Sequence, residues 1–344
     1  MQNSIKFTVS ALALAAAAAA APAFAVEVAV ESGAAVAADD AAAPADTTAP
    51  DSTGLTDIVV TATKRETNLQ KTPISISVMG TDDIKKRHVQ SLFDLADGAV
   101  PSLRVAPFEA RQNALTIGIR GIVPLDANQP AREQGVGIYI DGVYLGRQHG
   151  INSALFDVER IEVLKGPASI LYGRIEPGGM INVNTKRPLD TPHGALEQQF
   201  GSYNFYRTLW DVGGAITDSK SLSVRFAGGY QNSGSFRDFN FIDRKVFNPS
   251  VTWRPTDKTT LTVDVEILKQ DFRADSGIPV IGNRPAPVPI SRSYGDPNTP
   301  VSFTNKTHIG FNLDHAFNES WKLTNRFLSS FIDAESIWAN PAPA

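Results

Sequence analysis

The sequence has no cysteine. Disulfides, thiolate metal sites and cysteine nucleophiles are therefore excluded, and the chain fits an oxidising envelope compartment. Histidine is nearly as scarce, with only His88, His149, His193, His308 and His315. No two of them stand in the spacing of a zinc hydrolase, and no Gly-x-Ser-x-Gly elbow occurs. Neither a catalytic residue nor a bound metal or cofactor is expected. Positive charge is not in excess: 32 Lys and Arg face 36 Asp and Glu, a net charge of −4. Nucleic-acid binders usually carry a basic footprint, so that class is not expected either. Long hydrophobic runs are also missing. The longest, residues 11–21, is nearly all alanine, whereas a membrane-crossing helix needs about 20 strongly apolar residues.

The amino terminus instead has the layout of a secretory signal. Lys6 gives a positive start, residues 7–21 an apolar stretch, and Ala23-Phe24-Ala25 a small-residue cleavage site before Val26. Residues 1–25 are read as a signal peptide and the mature chain as exported. Without a spanning helix, any membrane crossing must use closed β-structure, because only helices and barrels satisfy the backbone in lipid. Residues 26–56 are rich in Ala, Pro, Thr and Asp, with Glu27, Glu31, Asp39, Asp40, Asp46 and Asp51 and no basic residue. That composition predicts a flexible acidic linker. It leads into a β-prone patch, Asp57-Ile58-Val59-Val60-Thr61-Ala62-Thr63.

Residues 66–188 read as a compact α+β domain. A strand is predicted at 72–78, short helices at 82–89 and 92–96, and a capping box from Ser91 and Asp94. Leu115, Ile117 and Ile119 alternate, as do Val136, Ile138 and Ile140 before an Asp141-Gly142 turn. Further strands are predicted at 161–165 and 180–185. Gly166, Gly173, Gly178 and Gly179 suit tight turns and close backbone approach, and Pro167 and Pro177 stiffen them. No Gly-Lys-Ser/Thr follows these glycines, so they do not form a phosphate loop.

Beyond residue 195 the texture changes to long period-two strands. Tyr206, Trp210, Val212 and Ile216 share one face, with Arg207 and Asp211 on the other. Leu222, Val224, Phe226 and Tyr230 oppose Ser221, Ser223, Arg225 and Gln231. Similar sets follow near 247–253, 261–267, 309–313 and 321–330. Short polar connections at 217–220, 255–258 and 317–320 alternate with longer ones at 231–243 and 271–305. This alternation is the habit of outer-membrane barrels, although a soluble β-sandwich also alternates.

The stretch Val158-Glu159-Arg160-Ile161-Glu162-Val163-Leu164-Lys165-Gly166-Pro167-Ala168-Ser169-Ile170-Leu171-Tyr172-Gly173, continuing through Pro177-Gly178-Gly179-Met180-Ile181-Asn182, resembles the plug signature of TonB-dependent outer-membrane receptors, especially their siderophore-receptor branch. Ile119-Arg120-Gly121 and Tyr139-Ile140-Asp141-Gly142-Val143 resemble two further plug motifs, and Asp57 to Ala62 resembles the TonB box. The resemblance implies an α+β plug domain at 66–188, followed by an antiparallel transmembrane β-barrel of which 195–344 supply about the first seven strands. The family's plugged barrels have about 22, so the chain is expected to be part of a longer product that does not transport alone.

The activity implied is energy-coupled import of a ferric siderophore across the outer membrane. Its implied partners are TonB with its inner-membrane energising proteins, the ferric chelate and outer-membrane lipid. Another scarce ligand, such as a cobalamin or glycan, is the neighbouring reading; a passive porin or adhesin would need neither box nor plug. A β-prone segment on a tether can add to a partner's sheet edge, which is the role implied for Asp57, Ile58, Val59, Val60, Thr61 and Ala62. Alternatively, 58–60 could be the first strand of the plug. Arg120 and Arg160 are expected to face the barrel wall and pair with its carboxylates. Gly166, Pro167, Tyr172, Gly173, Gly178 and Gly179 are expected to shape plug loops. Processing offers a direct check: the mature protein isolated from the envelope is expected to begin at Val26 by mass spectrometry, and a form retaining Lys6 would contradict the signal assignment.

Overall fold

Of the β-prone patch, Val59 and Val60 lie among the described residues and are extended. In the computed structural model, which describes residues 59–60, 67–69, 72–108, 111–123, 135–146, 152, 155–167, 172–174 and 176–338, strand β1 (Val59–Val60) pairs antiparallel with β2 (Thr67–Asn68). The predicted signal peptide, the linker and the box residues Asp57, Ile58, Thr61 and Ala62 lie outside the described residues.

The plug residues build a mixed sheet. In chain order they form β3 (Ile76–Gly80), α1 (Thr81–Lys86), a 3-10 turn (Leu92–Asp97), β4 (Leu103–Phe108), β5 (Arg111–Ile119), β6 (Val136–Ile140), β7 (Val143–Tyr144), β8 (Val158–Lys165) and β9 (Gly179–Thr185). The sheet order is β3-β8-β9-β6-β7, with β4 and β5 as a separate hairpin. β6 and β9 run parallel, and the other neighbours are antiparallel. The predicted capping box is present at Ser91 and Asp94, where the Ser91 N–H donates to Asp94 Oδ2 at 2.8 Å. Leu115, Ile117, Ile119, Val136, Ile138 and Ile161 share one buried core. Between β6 and β7, Asp141 and Gly142 take φ of +49° and +81°, as a two-residue hairpin turn requires. The Asp141 carboxylate accepts the backbone N–H and the hydroxyl of Thr185, at 3.0 and 2.7 Å, so the turn is tied to β9.

The second half of the chain forms one antiparallel sheet of seven strands. They are β10 (His193–Gly201), β11 (Phe205–Ala215), β12 (Leu222–Gly234), β13 (Phe241–Thr256), β14 (Thr259–Phe272), β17 (Ser302–Ala316) and β18 (Lys322–Glu335); a small hairpin, β15 (Val280–Ile281) and β16 (Arg284–Pro285), lies in the connection between β14 and β17. The strands are longer than expected, 16 residues in β13 and 15 in β17. The connection expected at 231–243 therefore shrinks to 235–240. Gln231, Asn232 and Ser233 look like loop residues by type, yet they continue the ladder with Arg244, Asp243 and Ile242.

This wall is inside out relative to a soluble sheet. On β13 the buried residues include Arg244, Asn248, Ser250 and Thr252, while Phe247 and Trp253 are 41% and 49% exposed. Val212, Phe226, Val263, Ile267 and Ile309 continue the exposed apolar face. A β-sandwich would bury that face in its core, so the sandwich alternative fails. The arrangement is that of a barrel wall with lipid outside and a polar inner face. No helix among the described residues is long and apolar enough to cross a membrane.

One glycine of the plug signature is required by close backbone approach. At Gly179, φ is +124°, and a Cβ there would lie 2.0 Å from the Leu164 carbonyl oxygen. Gly179→Ala is expected to cost the plug about 2–3 kcal/mol, since any relief must move β8 away from β9. Hydrogen exchange of the β6, β8 and β9 amides checks this, and unchanged protection would contradict it.

Candidate functional site: the seam between plug and wall

The plug meets the inner wall through two consecutive residues just ahead of β8. Phe156 packs against Val246 and Leu268, inward-facing residues of β13 and β14. Gly229 of β12 makes room for it: a Cβ there would come within 2.6 Å of both Phe156 Cε1 and Leu209 Cδ2. The Arg207 guanidinium covers the ring, 5.0 Å from its centroid, within the range of a cation–π contact.

Asp157 meets a charge on the wall. Arg225 Nη1 of β12 lies 2.5 Å from Asp157 Oδ1. The same guanidinium grips Asp211 of β11 with two bonds, Nε to Oδ1 and Nη2 to Oδ2, both 2.7 Å. Arg225 is 2% exposed, so it is fully committed between a wall carboxylate and a plug carboxylate. His193 Nε2 and Lys186 Nζ also approach Asp211, at 3.2 and 3.7 Å. The segment joining plug to wall is fastened at Asp190, which accepts from Arg254 Nη1 at 2.7 Å and Ser223 Oγ at 2.9 Å. Burial pushes the Asp157 carboxyl up to about 6, with Arg225 and Lys186 pulling it back. Desolvation therefore outweighs attraction at this carboxyl, and the pair fixes where the plug sits more than it adds net stability.

The residues singled out in the sequence fall in three places. Val59 and Val60 form β1; Asp57, Ile58, Thr61 and Ala62 lie outside the described residues. Gly166, Gly178 and Gly179 converge where β8 ends and β9 begins: the Gly166 N–H donates to Gly178 O at 3.0 Å, and the Gly178 N–H to Gly135 O at 2.8 Å. Tyr172 stacks edge-on against Tyr139 at 4.8 Å, and the Tyr139 hydroxyl donates to buried Glu176 at 2.8 Å. Gly173 takes a φ of +72°, and Pro167 is exposed. Arg120 stands exposed on a left-handed turn with φ +53°, its guanidinium over Gly166. Arg160 meets Glu162 at 2.8 Å and Glu159 at 3.4 Å, both on its own strand.

In the Asp157–Arg225 pair that joins plug to wall, the arginine is on the wall and the carboxylate on the plug. Sequence periodicity places Arg225 and Asp211 on the mixed face but carries no signal for Phe156 or Asp157. Among the described residues, no three His, Asp or Glu side chains converge to hold a metal ion.

Removing the two ends of the seam pair is expected to differ in effect. Arg225→Ala strands two carboxylates in a dry seam and should cost about 3–5 kcal/mol. Asp157→Asn leaves Arg225 its Asp211 partner and should be close to neutral below about pH 4 and stabilising at pH 7. Because burial raises the folded value of Asp157, its contribution is fully present below about pH 4 and is lost as pH rises through about 6. Plug–wall stability of Asp157→Asn should accordingly be flatter across that window. Urea unfolding of the two variants at several pH values tests the asymmetry.

Comparison with known proteins fits this geometry. Residues 68–180 match the TonB-dependent receptor plug domain. The metal-pseudopaline receptor of Pseudomonas aeruginosa is 28% identical over 268 residues, covering 76% of this chain and 35% of that protein. The ferrichrome outer membrane transporter/phage receptor of Escherichia coli is 28% identical over 289 residues, covering 81% of this chain and 37% of that one. The chain therefore spans about a third of the length of these relatives. Among solved structures, the ferripyoverdine receptor of Pseudomonas aeruginosa aligns with a TM-score of 0.66 and 22% identity, over 83% of this chain and 38% of that one. The siderophore receptor PiuA of Acinetobacter baumannii gives 0.68 and 23%, over 78% and 38%. At such identities these likenesses establish the fold. With the plug match at the centre of the chain and an inside-out wall following it, the chain carries a TonB-dependent receptor plug domain at residues 68–180 and resembles the receptors of that family over the rest.

Proposed function

We propose that the protein takes part in energy-coupled import of a ferric siderophore across the outer membrane of a Gram-negative bacterium, after residues 1–25 are removed. The observation that carries this reading is a folded plug seated on the polar inner face of an inside-out wall. A passive pore has no use for a domain held across its lumen. The relatives named for ferrichrome, ferrioxamine and pyoverdine support a ferric chelate as cargo.

Residues 26–56 act as a periplasmic tether, and Asp57, Ile58, Val59, Val60, Thr61 and Ala62 as the segment that TonB engages. Val59 and Val60 already take extended geometry in β1, which suits strand addition to a partner's edge. TonB, energised by its inner-membrane partners, pulls this segment and remodels the plug, domain 66–188, while the wall stays in lipid. The receptor carries out no covalent chemistry; it binds, holds and releases.

In a receptor completed with a full barrel, Val60→Pro is expected to abolish uptake of labelled ferric siderophore in iron-starved cells while leaving surface binding intact, since proline removes a backbone donor and resists strand pairing. Val60→Thr should be tolerated. Normal transport by the proline variant would show that this segment does not couple energy. Loss of binding together with transport would make it a structural strand of the plug.

A further inference from the structure

The inner wall carries a row of polar side chains to which the plug seat offers no ion-pair partner, although the Arg207 guanidinium lies over the Phe156 ring. By register, Arg207 stands opposite Gln231, Gln231 opposite Arg244, Arg244 opposite Gln270, and Gln270 opposite Thr304. The row crosses β11, β12, β13, β14 and β17, and all five residues are buried. Arg244 Nε donates to Gln270 Oε1 at 2.8 Å. Arg207 Nε, Gln231 Oε1 and Thr304 Oγ1 have no hydrogen-bond partner, and each belongs to a residue no more than 7% exposed.

Among the described residues neither Arg207 nor Arg244 forms a salt bridge, in contrast to Arg225. The plug carboxylate whose charge reaches both is Asp94, but its Oδ2 already accepts the N–H groups of Gln90 and Ser91. Burying two guanidinium groups without counter-ions is costly. A wall that only had to meet the plug could avoid that cost. Another row on the same face does so with neutral residues, Ser223, Thr252, Thr262 and Asn312, where Thr252 and Thr262 satisfy each other at 3.0 Å.

The first part of the plug after the tether faces the Arg207 end of the row. A cavity of about 250 Å³ lies between Ile84, Lys85 and His88 of that part and Gln199, Arg207 and Arg225 of the wall. We propose that Arg207, Gln231, Arg244 and Gln270 form a transit site for an anionic, oxygen-rich metal chelate, uncovered when residues 72–97 move. Guanidinium groups bind carboxylate oxygens through paired hydrogen bonds, and the glutamine amides both donate and accept. The row thus supplies to a passing anion the contacts it lacks in the closed state. This inference rests on the import reading above.

The test uses cells producing the protein as a receptor completed with a full barrel, its Arg207→Gln and Arg244→Gln variants and the double variant. Iron-55 complexes that are anionic (ferric citrate, ferric pyoverdine) are compared with those that are not (ferrichrome, ferrioxamine B). The unaltered protein is expected to take up an anionic complex. Each single variant should then lower that uptake roughly tenfold, as for a lost charge-assisted bond, at unchanged surface binding; Arg244→Gln, which does not touch the Phe156 seat, should do so at unchanged urea stability. Arg207→Lys should retain most of the uptake. Equal uptake by protein and variants overturns the proposal, as does uptake confined to the neutral and cationic complexes. A fall in surface binding or stability that matches the fall in uptake assigns the row a structural role instead. No uptake of any complex by the unaltered protein overturns the import reading itself, and this inference with it.

Discussion

The rest of the structure depends on the sidedness of the wall. A strand places successive side chains on opposite faces, so a sheet with lipid on one side must gather its polar groups on the other. Arg207, Arg225, Arg244, Lys306 and Asn312 are all buried because the apolar face is committed outward. Such an inner surface cannot close on itself as a hydrophobic core would. It needs either water or a second domain with matching polar groups, and the plug is that domain. The plug keeps a hydrophobic core of its own, centred on β5, β6 and β8. Among the described residues its contacts with the wall include the Phe156 ring, the Asp157 carboxylate and Lys186.

These contacts make the seam specific without making it strong. Phe156 enters a notch that exists because position 229 is glycine, and Asp157 answers an arginine already held by Asp211. Apolar contact at a single ring is modest, and the buried pair returns little net energy. The plug is thus held in one register by groups that can separate without disrupting either domain's own core. A seat that must be left and regained is better served by this arrangement than by a continuous apolar interface.

Much of this was legible in the residues, and the reasons are local. Period-two alternation in β11, β12 and β14 is dictated by the pleat, and the capping box at Ser91 and the turn at Asp141-Gly142 follow from backbone chemistry within a few residues. The ends of β12 and β13 were less legible. Serine, asparagine and arginine read as loop by type, yet here they extend strands on which neighbouring backbone is available to pair. Least legible was the seam. Arg225 is recognisable as an inward residue, but its partner Asp157 is brought to it by the packing of two domains. Arg120 and Arg160, chosen by motif, meet groups of the plug itself: Gly166 beneath one, Glu162 beside the other.

The pairing of β3 with β8 has a mechanical consequence. The two strands are antiparallel, with Ile76 opposite Leu164 and Gly80 opposite Arg160. The chain enters β3 at its Ile76 end, whereas β8 is anchored to the wall through Asp157, beside the Gly80 end. Tension on the entering chain therefore draws the two strands past each other along their length, in shear. The backbone bonds between them bear the load together rather than opening one at a time, and contacts at both ends, Lys165 N–H to Ser75 O and Thr81 Oγ1 to Glu159 O, at 2.8 and 2.9 Å, share it. A strand loaded in this way holds until a threshold force is reached and then yields abruptly.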